Sequence, residues 1–234
     1  MIDLKYLYRR AGFITGPLVD SGVVTGLRQD ADQLIEQATL MQCSDGDFNL
    51  EAEDGGFHTQ HHQAAGTSTM VGVLRKVSNV VAHSPAAEQV AARQDLRQLA
   101  ATFTGSGTQA ECVQLVHSIL WCKPPGVGSP KPPHQDAAYL EGDPEQYVTF
   151  WIALDDCDAT NGCLQVVPTS HRHTFAHGGS EPQIAADLWG ALSRMDVPLQ
   201  PGWGIVFHPR LLHASAVNTS TRPRRALMLR YRTR

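Results

Sequence analysis

The stretch CVQLVHSILWC, residues 112–122, followed by YVTFWIAL at 147–154, decides the fold class. Both segments are short, rich in β-branched and aromatic side chains, and bounded by Pro, Gly, Asn or Asp, which is the pattern of strands. Three more of the same kind follow: GCLQVV at 162–167, GIVFH at 204–208 and ALMLRYR at 226–232. Upstream of Gly107 the texture is helical. Residues 20–42 space Val23, Val24, Leu27, Leu34, Ile35 and Ala38 as one buried stripe. Residues 85–103 do the same with Val90, Leu96, Leu99 and Phe103, and Pro85 suits a first helical turn. Between them, residues 44–69 are rich in Gly, Asp, Gln and His and read as one long loop of the lid or binding kind. Helices first, then many short strands, predicts an α+β fold: a jelly roll flanked by N-terminal helices, in one domain over residues 1–234.

Composition narrows the function. The chain has 234 residues, of which 42% are hydrophobic and 18% charged, as in ordinary globular proteins. Its net charge of −4 argues against nucleic acid as a partner. The five cysteines include no CxxC pair, which excludes a zinc knuckle and a thioredoxin-like site and suits reduced thiols. The N-terminus MIDLKYLYRRAGF lacks the apolar core of a secretory signal, and no apolar run reaches the roughly 18 residues needed to span a bilayer. The expectation is a cytoplasmic protein with a small-molecule substrate and no membrane association.

The chemistry centres on PPHQD, residues 132–136. Residues two apart on an extended chain share a face, so His134 and Asp136 can reach one metal ion while Gln135 points elsewhere. A third ligand must come from a distant strand, and PGWGIVFHPRLLH, residues 201–213, supplies His208 and His213 as candidates. Two histidines and one carboxylate on one face of an octahedral iron(II) leave three positions open, the arrangement of non-haem iron oxygenases. Alone, an HxD motif is a weak signal, because a surface His–Asp pair produces it equally well.

The wider pattern is more specific. KPPG at 123–126, HQD at 134–136, WIALDD at 151–156, NGCL at 161–164, PTSH at 168–171, then His213-Ala214-Ser215, Asn218, Arg224 and Ala226 occur in that order. From about Val113 to Tyr231 the chain resembles the phytanoyl-CoA dioxygenase family of iron(II)/2-oxoglutarate oxygenases. The N-terminal part resembles it only through Gly12-Phe13 and Arg75-Lys76-Val77-Ser78-Asn79. The resemblance implies a double-stranded β-helix (cupin-like jelly roll) core, with iron(II), 2-oxoglutarate and O2 as cofactor and co-substrates. It implies His134, Asp136 and His213 as iron ligands. Arg224 would pair with the distal carboxylate of 2-oxoglutarate, Ser215 would donate to the same group, and Lys123 and Trp151 would lie near the co-substrate. A guanidinium stays charged when buried and offers a fork that fits a carboxylate, which supports Arg224 independently.

Other readings compete at several positions. His208 sits at the end of an apolar strand, where a core histidine is expected. His117, inside its strand, is a satisfied core or pocket-facing residue. His171, His173 and His177 suit loop hydrogen bonding, and His58, His61 and His62 suit solvated lid residues better than a second metal site. Trp151 serves core packing equally well, Gly162 permits a turn and Cys163 packs. Alternation puts only one of Arg224 and Arg225 inward, and the family spacing selects Arg224; the strand they begin should neighbour the His213 strand, and the remaining C-terminal arginines read as a solvated edge. Gln114, His117 and Leu120, with the loop at 44–70, are expected to line the substrate pocket.

The function implied is hydroxylation of an unactivated C–H bond in a small metabolite or natural-product intermediate, with release of succinate and CO2. Asp136 favours oxygenation, because related halogenases carry a small residue there to admit chloride. Desaturation, epoxidation or cyclisation share the same early chemistry. A metal-containing jelly roll that binds a ligand without turnover is the alternative from another class, and the joint presence of His134, Asp136, His213 and Arg224 speaks against it.

Overall fold

The computed structural model describes residues 3–53, 69–179 and 181–234. Helix α1 (Leu4–Ala11) is capped by Asp3 and ends at Gly12, whose φ of 88° lets the chain turn into β1 (Phe13–Pro17). Helix α2 (Ser21–Ala38) starts where the Asp20 carboxylate accepts the Val23 N–H. Strands β2 (Phe48–Ala52) and β3 (Thr69–Ser78) follow. Where one helix is predicted over 85–103, there are two: α3 (Pro85–Ala92) and α4 (Gln94–Phe103). The break is at Arg93, whose ψ is 127° and whose guanidinium binds the Asp95 carboxylate at the start of α4. The remaining elements are β4 (Val113–Lys123), β5 (Lys131–His134), β6 (Tyr147–Ala153), β7 (Leu164–Val166), α5 (Ala186–Ala191), β8 (Met195–Val197), β9 (Trp203–Phe207), β10 (His213–Ser215) and β11 (Arg224–Thr233).

These strands form two antiparallel sheets facing each other as a jelly roll, in the orders β1-β9-β6-β11-β4-β3-β2 and β5-β10-β7-β8. All five strands predicted from 112 onward are present. Three expectations change. Residues 48–52, read as loop, are a fully buried strand, and His58, His61 and His62 lie outside the described residues. Strand β11 is in the middle of the larger sheet, so its arginines are no solvated edge. It also lies in the sheet opposite β10, so Arg224 reaches the His213 strand across the sandwich and not along a ladder.

Period-two alternation gives each central strand two jobs. On β11, Leu227, Leu229 and Tyr231 face the helices, joined by Phe150 and Ile152 of β6 and by Leu27, Ala31 and Leu34 of α2. Ala226 and Met228 face the space between the sheets, with Trp151, Ala153, Ile205 and Phe207. Truncating a buried leucine such as Leu227 to Ala costs about 2–5 kcal/mol. The helix-side core therefore clamps the sheet whose other face builds the site. Near the site, β4 carries a bulge: Arg230 pairs with His117 and Tyr231 with Leu115, leaving Val116 extra.

Candidate metal centre

Backbone hydrogen bonds set the histidine tautomers. His134 Nδ1 lies 2.7 Å from the Pro132 carbonyl and His213 Nδ1 lies 2.9 Å from the Leu211 carbonyl. A carbonyl only accepts, so each Nδ1 carries the hydrogen and each Nε2 keeps its lone pair. Those Nε2 atoms lie 3.5 Å (His134) and 3.9 Å (His213) from Asp136 Oδ1. All three donor atoms lie within 4.8 Å of one another, and all three residues are buried. Burial keeps both rings neutral, pushing the His134 pKa down to about 3 and lowering that of His213. Burial alone would raise the Asp136 pKa, but the Arg230 guanidinium outweighs it and holds the carboxyl well below the usual range. Two neutral imidazole nitrogens and one carboxylate oxygen converging on a point are a donor set suited to iron(II).

The second carboxylate oxygen is already engaged. Arg230 Nη2 lies 2.5 Å from Asp136 Oδ2, the Thr149 hydroxyl donates to that oxygen at 3.2 Å, and Arg230 Nε donates to Thr149 at 3.0 Å. Arg230 is 5% exposed. Register explains the grouping, since Phe207, Thr149, Arg230 and His117 stand in one cross-strand row over β9, β6, β11 and β4. The sequence reading missed Arg230, although the spacing 224, 226, 228, 230 on one strand was a signal that it shares a face with Arg224.

Between the two ligands, Gln135 is buried and holds the turn rigid. Its amide donates to the carbonyls of His173 (2.8 Å) and Arg210 (2.5 Å), its Oε1 accepts the Phe175 N–H, and its own N–H donates to His177 Nε2 at 2.9 Å. Ser170 of the PTSH segment accepts the Leu212 N–H, fixing the residue before His213. His208 stays apart from the triad, where its Nδ1 accepts the Arg210 N–H and its Nε2 lies 3.3 Å from Glu145. His171 Nε2 bonds the Arg9 carbonyl, tying that segment to α1.

At the far end of the same cavity lies Arg224, 3% exposed. Its guanidinium carbon is 5.3 Å from the centre of the Trp151 ring, and its Nε has no acceptor. Among the described residues no carboxylate forms an ion pair with it. Arg225, on the opposite face, is fully engaged by Asp155. Ser215 is buried beside the same cavity. Lys123 lines it too, but its ammonium is clamped by the carbonyls of Ser129, Ser215 and Ala216. Gly162 makes that clamp possible, since a Cβ there would stand 2.5 Å from the Ala216 carbonyl oxygen. Asn218 donates to the carbonyls of Lys123 and Arg222 and so fixes the loop into Arg224.

The cavity holds about 60 Å³ of open volume. Beside the triad it is lined by Glu51, Arg75, Trp121 and Lys131. Glu51 accepts from Ser129 and lies 3.6 Å from Arg75 Nη1. None of the expected substrate contacts His117, Gln114 and Leu120 lines this cavity. His117 is exposed and lines a separate hollow with Ser78 and Asn79, its Nδ1 3.4 Å from Arg230 Nη1. Gln114 lies beyond the β4 bulge, exposed opposite Arg232, and Leu120 packs in the helix-side core, so neither lines the cavity. The bulge shifts which β4 residues face inward, and strict alternation could not anticipate it.

A jelly roll holding two histidines and one carboxylate inside its sandwich belongs to the class of double-stranded β-helix proteins with a metal centre. The family profile described as phytanoyl-CoA dioxygenase matches residues 8–226, and the chain belongs to that family. Phytanoyl-CoA dioxygenase 1 of Oryza sativa subsp. japonica is 34% identical over 121 residues, 49% of this chain and 43% of that protein. The match thus spans less than half the length of that curated relative. Among solved structures, AviO1 from Streptomyces viridochromogenes is 27% identical with a TM-score of 0.72, over 97% of this chain and 92% of that one. The epimerase SnoN, solved with Fe3+, alpha ketoglutarate and nogalamycin RO, is 24% identical with a TM-score of 0.73, over 98% of this chain and 82% of that one. No helix among the described residues is long and apolar enough to cross a membrane.

Proposed function

We propose that this chain is an iron(II)- and 2-oxoglutarate-dependent dioxygenase that hydroxylates an unactivated C–H bond of a small molecule, releasing succinate and CO2. The observation that carries the reading is the pairing, in one cavity, of three converging metal donors with a buried guanidinium that has no carboxylate of its own. His134, Asp136 and His213 would hold the iron, and Arg224 would receive the distal carboxylate of 2-oxoglutarate, with Ser215 beside it. The bound iron, with 2-oxoglutarate and O2, supplies the oxidising power; the chain supplies placement and shelter from water. Trp151 forms an apolar wall under the Arg224 fork, and low exposure around it strengthens every charge interaction made there. Asp136 would keep a protein carboxylate on the iron, which would favour oxygen insertion over transfer of a halide. SnoN, which shares this fold, is described as an epimerase.

The test is direct. Protein supplied with iron(II), ascorbate and 2-oxoglutarate should release succinate, and a true substrate should raise the rate with one oxygen atom added to the product by mass. Metal-loaded protein that makes no succinate under any condition overturns the reading.

A further inference from the structure

The Arg230 guanidinium has three acceptors, each from a different part of the chain. Its Nη2 lies 2.5 Å from Asp136 Oδ2, its Nε donates to the Thr149 hydroxyl at 3.0 Å, and its Nη1 lies 3.4 Å from His117 Nδ1. A guanidinium only donates, so His117 Nδ1 is the bare nitrogen and Nε2 carries the hydrogen of the neutral ring. Asp136 and Thr149 are buried, whereas His117 is exposed. Strand pairing explains the exposure. Strand β3 ends at Ser78, opposite Ile119, so no β3 residue stands beside His117, and the extra Val116 interrupts the β4–β11 ladder directly before it.

The three bonds do different work. Nε and Nη2 lie along one edge of the planar guanidinium, so the bonds to Thr149 and Asp136 leave the plane free to tilt about that edge. The bond from Nη1 to His117 sets the tilt. We propose that His117 is a positioning residue for the candidate metal centre: its neutral ring fixes the Arg230 plane and, through it, the direction in which Asp136 presents Oδ1 to the iron. This inference rests on the dioxygenase reading, in which the triad holds iron(II), and it adds a residue outside the cavity to the machinery of that site.

Protonation reverses the contact. A hydrogen on Nδ1 would face the guanidinium, and two cations in contact would loosen the fork that holds Asp136. Among the described residues the charged groups acting on His117 are Arg230 from β11 and Asp136 from the ligand turn; the hollow it lines offers only uncharged neighbours, Ser78 and Asn79 among them. Burial and Arg230 lower the His117 pKa, with Asp136 opposing. Iron binding and His117 protonation therefore work against each other. Iron affinity is complete while the ring is neutral and falls as the pH drops through that lowered pKa. The ligand histidines do not supply this dependence, since burial keeps both of their rings neutral.

Calorimetric titration with iron(II), without oxygen, tests it at about pH 7.5 and about pH 5.5. At the higher pH His117→Leu and His117→Lys should bind iron about tenfold more weakly than the wild type, the lower end of the range for residues that hold a metal ligand in place. His117→Gln, whose amide oxygen can accept from Arg230, should match the wild type. On acidification the wild type should lose affinity about tenfold, and His117→Gln should lose clearly less. A residue that only fills space at the surface would change neither the order of the variants nor the pH profile. Iron bound equally well by His117→Leu and the wild type, or equal acid losses in the wild type and His117→Gln, overturns the proposal alone. Wild-type protein that binds no iron(II) at either pH overturns the dioxygenase reading and this inference with it.

Discussion

Arg224 and Arg230 lie six residues apart on the same face of β11, both almost wholly buried, yet their surroundings are opposite. Arg230 is answered by Asp136, Thr149 and the neighbouring His117. Arg224 has an aromatic ring below it and no acceptor for its Nε. A buried charge without a partner is costly, and folds keep one only where something else supplies the partner. One arginine therefore holds the candidate metal ligand, and on the proposed function the other would receive the distal carboxylate of 2-oxoglutarate.

Removing each charge in turn tests that contrast hardest. Asp136→Ala leaves Arg230 buried and unpaired, and should destabilise the metal-free protein by about 3–5 kcal/mol as well as abolish tight iron binding. Adding Arg230→Met to Asp136→Ala should restore most of the stability without restoring the metal. The two effects together, read by urea denaturation and by metal titration, form a double-mutant cycle. Additive losses would show that the ion pair holds nothing.

Arg224→Met should behave in the reverse way. With no partner to strand, the metal-free protein should be unchanged or stabilised by roughly 1–4 kcal/mol. The KM for 2-oxoglutarate should rise by about 30-fold or more, because a desolvated carboxylate partner is worth about 2–5 kcal/mol. Loss of folding stability comparable to that of Asp136→Ala would sink the distinction. Arg230→Lys is the milder form of the first test: it keeps the charge, loses the fork that serves both Asp136 and Thr149, and should weaken iron binding about 10–100-fold.

How much of this was legible depended on the length scale of the signal. His134 and Asp136 could be paired from the sequence because Gln135 is extended (φ −105°, ψ 131°) and period two holds. The long strands β4, β6 and β11 carry enough β-branched and aromatic residues to announce themselves. Strand β5 does not: its sequence is KPPH, and two prolines survive there only because it is the edge of its sheet. Strand β10 has three residues, too few for any periodicity. The family motifs WIALDD and NGCL prove mostly to be scaffold. Asp155 binds Arg225 and Arg28, and Asn161 caps its own turn and donates to the Asp156 carbonyl. Arg230 was hidden for a different reason. A cluster of arginines near a terminus looks solvated until the topology shows β11 in mid-sheet with β4 and β6 on either side.

The smallest effect expected comes from the shell that holds the ligand turn. His177 Nδ1 lies 2.9 Å from the Phe175 carbonyl, so its Nε2 is the bare nitrogen that accepts the Gln135 N–H between the two ligands. Protonation would put a hydrogen on that nitrogen and break the bond. Burial accordingly lowers the His177 pKa below its ordinary value, with the Phe175 carbonyl opposing. The sign follows: the unfolded chain takes up the proton first, so the stability this histidine contributes is complete above about pH 6.5 and fades as the pH falls. Denaturation midpoints compared at about pH 7.5 and about pH 5.5 should show a smaller acid loss in His177→Gln than in the wild type. The glutamine amide can offer an oxygen to the same N–H without titrating. Identical acid losses in the two proteins would place the pH sensitivity elsewhere and leave Gln135 held by its side chain alone.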